Sequence, residues 1–182
     1  MSAKLIILDR DGVINRDSDA YIKHPDEWSP IAGSLEAIAR LNHAGYRVVI
    51  ATNQSGLGRG LFNIDQLNAI HQKMFDALSQ QSGHIDALFF CPHRPDENCN
   101  CRKPEPGLLL EIANRLDADL SEAIFIGDSL KDIQAAQTTG AQPMLVLTGN
   151  GRATASQIDD SDNVPVYTDL ATAVDALLAN TK

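Results

Sequence analysis

The sequence predicts an α/β fold: a single-domain, Rossmann-like parallel sheet with helices on both faces. Short apolar runs alternate along the chain with stretches of helical period. The runs are continuously apolar, as in strands buried on both faces, where half-exposed strands would alternate. Three of them stop at small polar residues, Asp9, Thr52 and Asp128, at the strand ends where such sheets bind ligands.

The first strand is Lys4-Leu5-Ile6-Ile7-Leu8, running into Asp9-Arg10-Asp11-Gly12-Val13. The residue between two strand-end carboxylates points the other way, so Asp9 and Asp11 are able to face one site. Gly12 lets the chain turn away at once. Residues 15–33, with Pro25, Pro30 and Gly33, form a loop longer than a connection needs. Its Asp17, Asp19 and Tyr21 could reach a ligand; the alternative is that most of them are simply solvated. Ser34 to Ala44 has helical spacing, with Gly45 as its stop. Tyr46 to Ala51 is the second strand, ending in Thr52-Asn53-Gln54-Ser55-Gly56. Gly56, Gly58 and Gly60 punctuate a loop around Arg59, and their spacing lacks the dinucleotide fingerprint.

Asn63-Ile64-Asp65-Gln66 has the spacing of a capping box and opens a helix to about Gln81. Its Leu67, Ile70, Met74 and Leu78 form a core face, and His71 among them reads as structural. Ile85 to Phe90 is a third strand, Pro106 to Leu116 a helix with Pro near its start, and Ala123 to Gly127 a fourth strand. Lys131 to Thr139 is a short helix capped by Gly140. Pro143 to Leu147 is a fifth strand, and 148–162 a polar loop with at most a short helix. Val164 to Tyr167 suits an edge strand, and Leu170 to Ala179 a terminal helix.

A chain of 182 residues suits one domain, 1–182, able to fold without disulfides. The net charge of −9 argues against nucleic acid, whose phosphates are held mainly by Lys and Arg. It leaves room for a small phosphorylated substrate in a locally basic cleft. No run approaches a membrane span and no export signal opens the chain, so a cytoplasmic protein away from membranes is expected. The polar surface suggests a monomer.

The convergence of Asp9, Asp11 and Asp128 describes a hard-oxygen site suited to Mg²⁺. Lys103, in Arg102-Lys103-Pro104, offers a compact charge that suits a phosphoryl group. A second signal is Cys91-x-His93-x5-Cys99-x-Cys101, which holds all three cysteines. Three thiolates and one imidazole match a closed, structural Zn²⁺ site; the alternative is a loop of free thiols. Zinc there would position Arg102 and Lys103, which follow the last ligand directly.

Asp9-x-Asp11-Gly12, Thr52, Lys103 and Gly127-Asp128-x3-Asp132 resemble the four ordered motifs of the haloacid dehalogenase superfamily, over nearly the whole chain. The resemblance implies a Mg²⁺-dependent phosphatase. Asp9 would be the nucleophile, Asp11 the acid and base, and Thr52 and Lys103 the holders of the phosphoryl oxygens. Mg²⁺ would lie on the Asp9 carboxylate, the Asp11 backbone carbonyl and Asp128, with Asp132 orienting the metal site or Lys103. The zinc loop resembles that of a capless group within the superfamily. That group cleaves either the 7-phosphate of D-glycero-D-manno-heptose 1,7-bisphosphate, in lipopolysaccharide-core synthesis, or histidinol phosphate. The short gaps after Asp11 and Thr52 leave no room for a large cap, so residues 15–30, residues 54–62 and the zinc loop would wall the pocket. By the same resemblance Asn53, Gln54, Ser55 and Arg102 contact substrate. Asp17 is a further candidate, and a second anion would fall to Arg102, Arg59 or Lys131. Val13, often Thr in the family, and Ser129, often Lys, depart from its pattern without removing a catalytic group. A binding module without catalysis and a DNA-end phosphatase are the remaining readings; the intact motif set opposes the first and the acidic charge the second.

Overall fold

The computed structural model describes residues 4–159 and 163–179. The end of the expected 148–162 loop and both ends of the expected 1–182 domain lie outside the described residues. The strands are β1 (Leu5–Leu8), β2 (Arg47–Asn53), β3 (Ala87–Cys91), β4 (Ile124–Gly127), β5 (Gln142–Val146) and β6 (Val166–Tyr167). They form one six-stranded sheet in the order β3-β2-β1-β4-β5-β6, with every pair parallel. The helices are α1 (Ser34–His43), α2 (Ser55–Gly58), α3 (Ile64–Gln80), α4 (Gly107–Leu116), α5 (Leu130–Thr139), α6 (Gly151–Ala155) and α7 (Leu170–Ala179).

Continuous apolar strands are required because the sheet is covered on both faces. Alternate residues go opposite ways: Ile6, Leu8, Val48 and Ile50 join one core cluster, with Ile38 of α1, Met74 of α3 and Val174 of α7. Leu5, Ile7, Val49 and Ala51 join the other, with Leu108 and Ile112 of α4 and Ala135 of α5. The capping box that opens α3 is present, with Asn63 accepting from the Gln66 backbone.

The chain leaves β1 for β2 and β3 on one side, then returns to β4 on the other. β1 and β4 therefore meet where the strand order reverses, the crevice in which α/β sheets hold ligands. Leu8 pairs with Ile126, and the Asp9 N–H donates to the Ile126 carbonyl at 3.1 Å. This sets Asp9 beside the end of β4, which Asp128 follows.

One stretch expected as a loop contains a helix, and the polar loop 148–162 contains the short helix allowed for it. Residues 55–58 wind into α2, where the Arg59 N–H donates to the Ser55 carbonyl, so these glycines are not all free hinges. Residues 151–155 form α6, against the end of β5. Among the described residues no helix is long and apolar enough to cross a membrane.

Candidate active site

Asp9, Asp11, Lys103, Asp128 and Asp132 line one cleft at the carboxyl edge of the sheet, with a cavity of about 200 Å³. Residues far apart in the chain meet here because four elements end together: β1 brings Asp9, β2 Asn53, β4 Asp128, and the turn before α4 brings Lys103.

Lys103 is 2 % exposed and its ammonium is fully engaged. Nζ donates to the Ala51 carbonyl at 2.8 Å and to Asp132 Oδ1 at 2.6 Å, and lies 3.1 Å from Asp9 Oδ1. Burial would strip its charge, but the carboxylates of Asp132 and Asp9 outweigh that and push its pKa up to about 12. Lys103 is thus a fixed cation. Asn53 holds its backbone from both sides: Nδ2 donates to the Lys103 carbonyl at 3.0 Å and Oδ1 accepts from its N–H at 3.1 Å.

Asp9 is crowded. Burial raises its pKa well above the usual carboxylate range; Lys103 opposes this, and Asp132, Asp128 and Asp11 add to it. Asp128 is pushed up to about 7 by burial and by Asp132. A cluster held in this way calls for a cation, and the free lone pairs fit one. Asp132 is committed, Oδ1 to Lys103 and Oδ2 to the Ser129 N–H and hydroxyl at 3.0 and 2.7 Å, where it caps α5. Asp9 Oδ2 and Asp128 Oδ1 have no hydrogen-bond partner among the described residues. The donor atoms of Asp9, Asp128 and Asp132 lie within 4.8 Å of one another, a spacing that suits a small divalent ion.

Asp11 is held apart from that cluster. Its carboxylate accepts from Arg10 Nε and Nη2 at 3.1 and 2.9 Å, from Asn15 at 2.9 Å and from Gln54 Nε2 at 2.9 Å. Burial would raise its pKa, but the Arg10 guanidinium and the Asn15 and Gln54 donors bring it below the ordinary value. Gln54 Nε2 also donates to the hydroxyl of Thr52, which is wholly buried beneath the cleft.

Asp17, Ser18, Tyr21 and Ile22 from the 15–33 loop, Arg102 from the Cys/His loop, and Lys131 complete the walls. Of residues 54–62 only Gln54 contributes; Ser55 is buried in the first turn of α2 and does not line this cleft. Of the three anion candidates, Arg102 and Lys131 border it and Arg59 does not.

The stretch 148–154 carries a role its polar composition did not announce. The Asn150 N–H donates to Asp128 Oδ2 at 2.7 Å, and Asn150 Nδ2 donates to Asp17 at 3.1 Å. Thr154 Oγ1 donates to the Asp128 carbonyl at 2.8 Å, and Thr148 Oγ1 to the Gly12 carbonyl at 2.6 Å. Asp128 Oδ2 lies so near the backbone that a Cβ at Gly12, whose φ is 83°, would come within 2.1 Å of it. Only glycine fits there. The one available signal was the Thr-Gly-Asn-Gly run just past a strand end.

The cysteine loop closes on itself. Sγ of Cys91, Cys99 and Cys101 are 3.0–3.6 Å apart, and His93 Nδ1 is 3.5 Å from Cys91 Sγ and 3.3 Å from Cys101 Sγ. A tetrahedral zinc with bonds of about 2.3 Å to sulfur would set S–S edges near ~3.8 Å, so little adjustment is needed to hold one. Burial raises the Cys91 and Cys101 thiols, while at Cys99 hydrogen bonds, first from the Arg102 backbone, outweigh burial and bring the pKa down to about 7, so Cys91 and Cys101 join it as thiolates only around a cation. Arg102 and Lys103 follow directly, and the Gly107 N–H donates to the Asn100 carbonyl at 2.8 Å, tying the loop to the start of α4.

A family model described as HAD-hydrolase-like matches residues 100–173, the class that this sheet and its aspartates define. The chain is 57 % identical to D-glycero-beta-D-manno-heptose-1,7-bisphosphate 7-phosphatase of Bordetella bronchiseptica, over 96 % of this chain and 98 % of that one. It is 47 % identical to the enzyme of the same name in Pseudomonas aeruginosa, over 98 % and 99 % of the two chains. Among solved structures, the B. bronchiseptica D,D-heptose 1,7-bisphosphate phosphatase complexed with magnesium and phosphate superposes with a TM-score of 0.95, at 56 % identity, covering 97 % of this chain and 99 % of that one. The Burkholderia thailandensis phosphatase does so with a TM-score of 0.77, at 44 % identity, covering 96 % and 98 %. The chain belongs to the family of heptose 1,7-bisphosphate 7-phosphatases, within the HAD-like hydrolases.

Proposed function

We propose that this chain hydrolyses the 7-phosphate of D-glycero-β-D-manno-heptose 1,7-bisphosphate as a Mg²⁺-dependent phosphatase, a single capless domain acting as a monomer in the cytoplasm. The observation that carries the reaction is the meeting of Asp9, Asp11, Lys103 and Asp128 in one cleft. The relatives' names support the sugar and its anomer.

Asp9 attacks phosphorus, and the bond from phosphorus to the sugar oxygen breaks as Asp11, which has to enter this step protonated although Arg10, Asn15 and Gln54 favour its ionised form in the free cleft, gives that oxygen a proton. The product left on the enzyme is an aspartyl phosphate on Asp9. Water then attacks this phosphorus, passing a proton to Asp11, and inorganic phosphate leaves with Asp9 restored. Lys103 and Thr52 hold the phosphoryl oxygens, Lys103 as a charge that never titrates in the working range. Asp9, Asp128 and the Asp11 backbone carbonyl would hold Mg²⁺, which supplies charge neutralisation between two anions. Cys91, His93, Cys99 and Cys101 would hold Zn²⁺, a closed set with no open position for chemistry. Gln54 aims Asp11, and Asn53 aims Lys103. Arg102 and Lys131 are the cations for the distal phosphate, and Asp17 faces the sugar hydroxyls.

Phosphate release with Mg²⁺ tests this on heptose 1,7-bisphosphate in both anomers, fructose 1,6-bisphosphate, histidinol phosphate and a 3′-phosphorylated oligonucleotide. The expected result is a kcat/KM for the β-heptose at least tenfold above every other substrate. Preference for histidinol phosphate would overturn the substrate and leave the mechanism standing.

A further inference from the structure

The mechanism leaves one buried pair unused. Arg10 lies between the two catalytic aspartates in sequence and is 0 % exposed; His71, on α3, is 5 % exposed. An arginine buried this completely needs a partner for each arm. Among the described residues its guanidinium hydrogen-bonds to two side chains. Nε and Nη2 grip the Asp11 carboxylate, and Nη1 lies 3.0 Å from His71 Nε2.

Guanidinium has donors and no acceptor, so His71 Nε2 must be the acceptor and carry no proton. The imidazole is therefore neutral, with its proton on Nδ1. Its surroundings agree: burial and the facing Arg10 hold its pKa down to about 3, against a weaker pull from Asp11. The ring centroids of Phe75 and Phe90 lie 6.5 Å from that of His71, so the imidazole is walled by aromatics. Its helix is anchored nearby, where Lys73 Nζ donates to the Pro25 and Trp28 carbonyls at 2.7 and 2.9 Å.

We infer that His71 is a positioning residue for the phosphatase reaction: it braces Arg10 from behind, and Arg10 in turn fixes the angle of the Asp11 carboxyl toward the leaving oxygen. A carboxyl group gripped from one side still swings with the group that grips it. Asn15 and Gln54 each hold Asp11 by one hydrogen bond. The guanidinium fork sets its plane, and the lone pair of His71 sets the plane of the fork. The inference rests on Asp11 as proton donor, the role proposed above.

The test compares two leaving groups through kcat/KM, which reports steps up to formation of the aspartyl phosphate. A primary alkyl phosphate needs a proton on its leaving oxygen; 4-nitrophenyl phosphate does not. General acid catalysis contributes about 10²–10⁴-fold, and a mis-aimed donor should forfeit part of that. His71→Leu is expected to lose roughly tenfold or more on the alkyl ester and less than threefold on the aryl ester. His71→Gln, whose amide oxygen still accepts from Arg10, should stay within threefold of the parent on both. Equal losses on the two esters, or no loss on the alkyl ester, would overturn the brace. Asp11→Asn is the reference: a loss confined to the alkyl ester keeps Asp11 as donor, and an equal loss on both removes that reading instead. Should His71→Leu fail to fold, judged by zinc content and far-UV circular dichroism, Arg10→Lys takes the same criterion, since one ammonium cannot span Asp11 and His71.

Discussion

The two ligand clusters of this molecule are built in opposite ways. The cysteine cluster comes from one contiguous loop, residues 91–101, and its four donors face one another. The aspartate cluster comes from residues 9, 128 and 132, brought together by a sheet, and one of its members is turned away to hold Lys103. The first is soft, closed and self-sufficient, as a structural metal requires. The second is hard, crowded with like charge and open to a cleft, as a site that exchanges ligands requires. They meet at Lys103, which follows Cys101 by two residues and ends 3.1 Å from Asp9. A structural metal held there would serve as a foundation for the cation of the cleft.

Separating the two by substitution tests this contrast. Asp9→Asn has the largest expected effect: phosphate release falls by more than about 10³-fold while zinc content stays at one per chain, since no cysteine ligand is touched. Residual activity near that of the parent would remove Asp9 as nucleophile. Cys101→Ser works in the opposite direction. Zinc is lost, and activity falls by roughly 10–100-fold through Lys103, a loss measured alongside metal content. A zinc-free protein at full rate would break the link between the clusters. Asn150→Ala sharpens the aspartate side alone, since it removes Nδ2, which donates to Asp128 Oδ2 at 3.3 Å and to Asp17 at 3.1 Å, and leaves the backbone N–H on Asp128 in place. The Mg²⁺ concentration for half-maximal rate should rise about tenfold, with zinc unchanged. The smallest effect belongs to Asn63→Ala, at the capping box of α3 and outside the cleft. It should cost about 1 kcal/mol, lower Tm by roughly 2–4 °C, and leave kcat/KM as it was.

Local pattern was enough for some of this protein. Continuous apolar runs marked the strands because a sheet covered on both faces tolerates nothing else, and the terminal helix Leu170–Ala179 and the Asn63 capping box follow from side-chain period and capping chemistry alone. The cysteine cluster was legible for a similar reason: its donors are neighbours in sequence, so spacing by itself describes a site. The short helix α2 was not, because a few residues with little propensity are held by tertiary hydrogen bonds, such as the one from Gly58 N–H to the Pro92 carbonyl, whereas α6 is the short helix allowed for in 148–162. For the aspartate cleft, the sequence identified the strand-end residues and left their arrangement open. Which carboxylate is free for a cation, which is spent on Lys103, and which is gripped by Arg10 depend on contacts across 29, 50 or 61 residues of chain. The same holds for Asn150 and His71, whose local surroundings are an undistinguished polar loop and a helix core face. A pattern along the chain reports how a residue meets its near neighbours. Only the packed sheet decides which distant donor its lone pair will face.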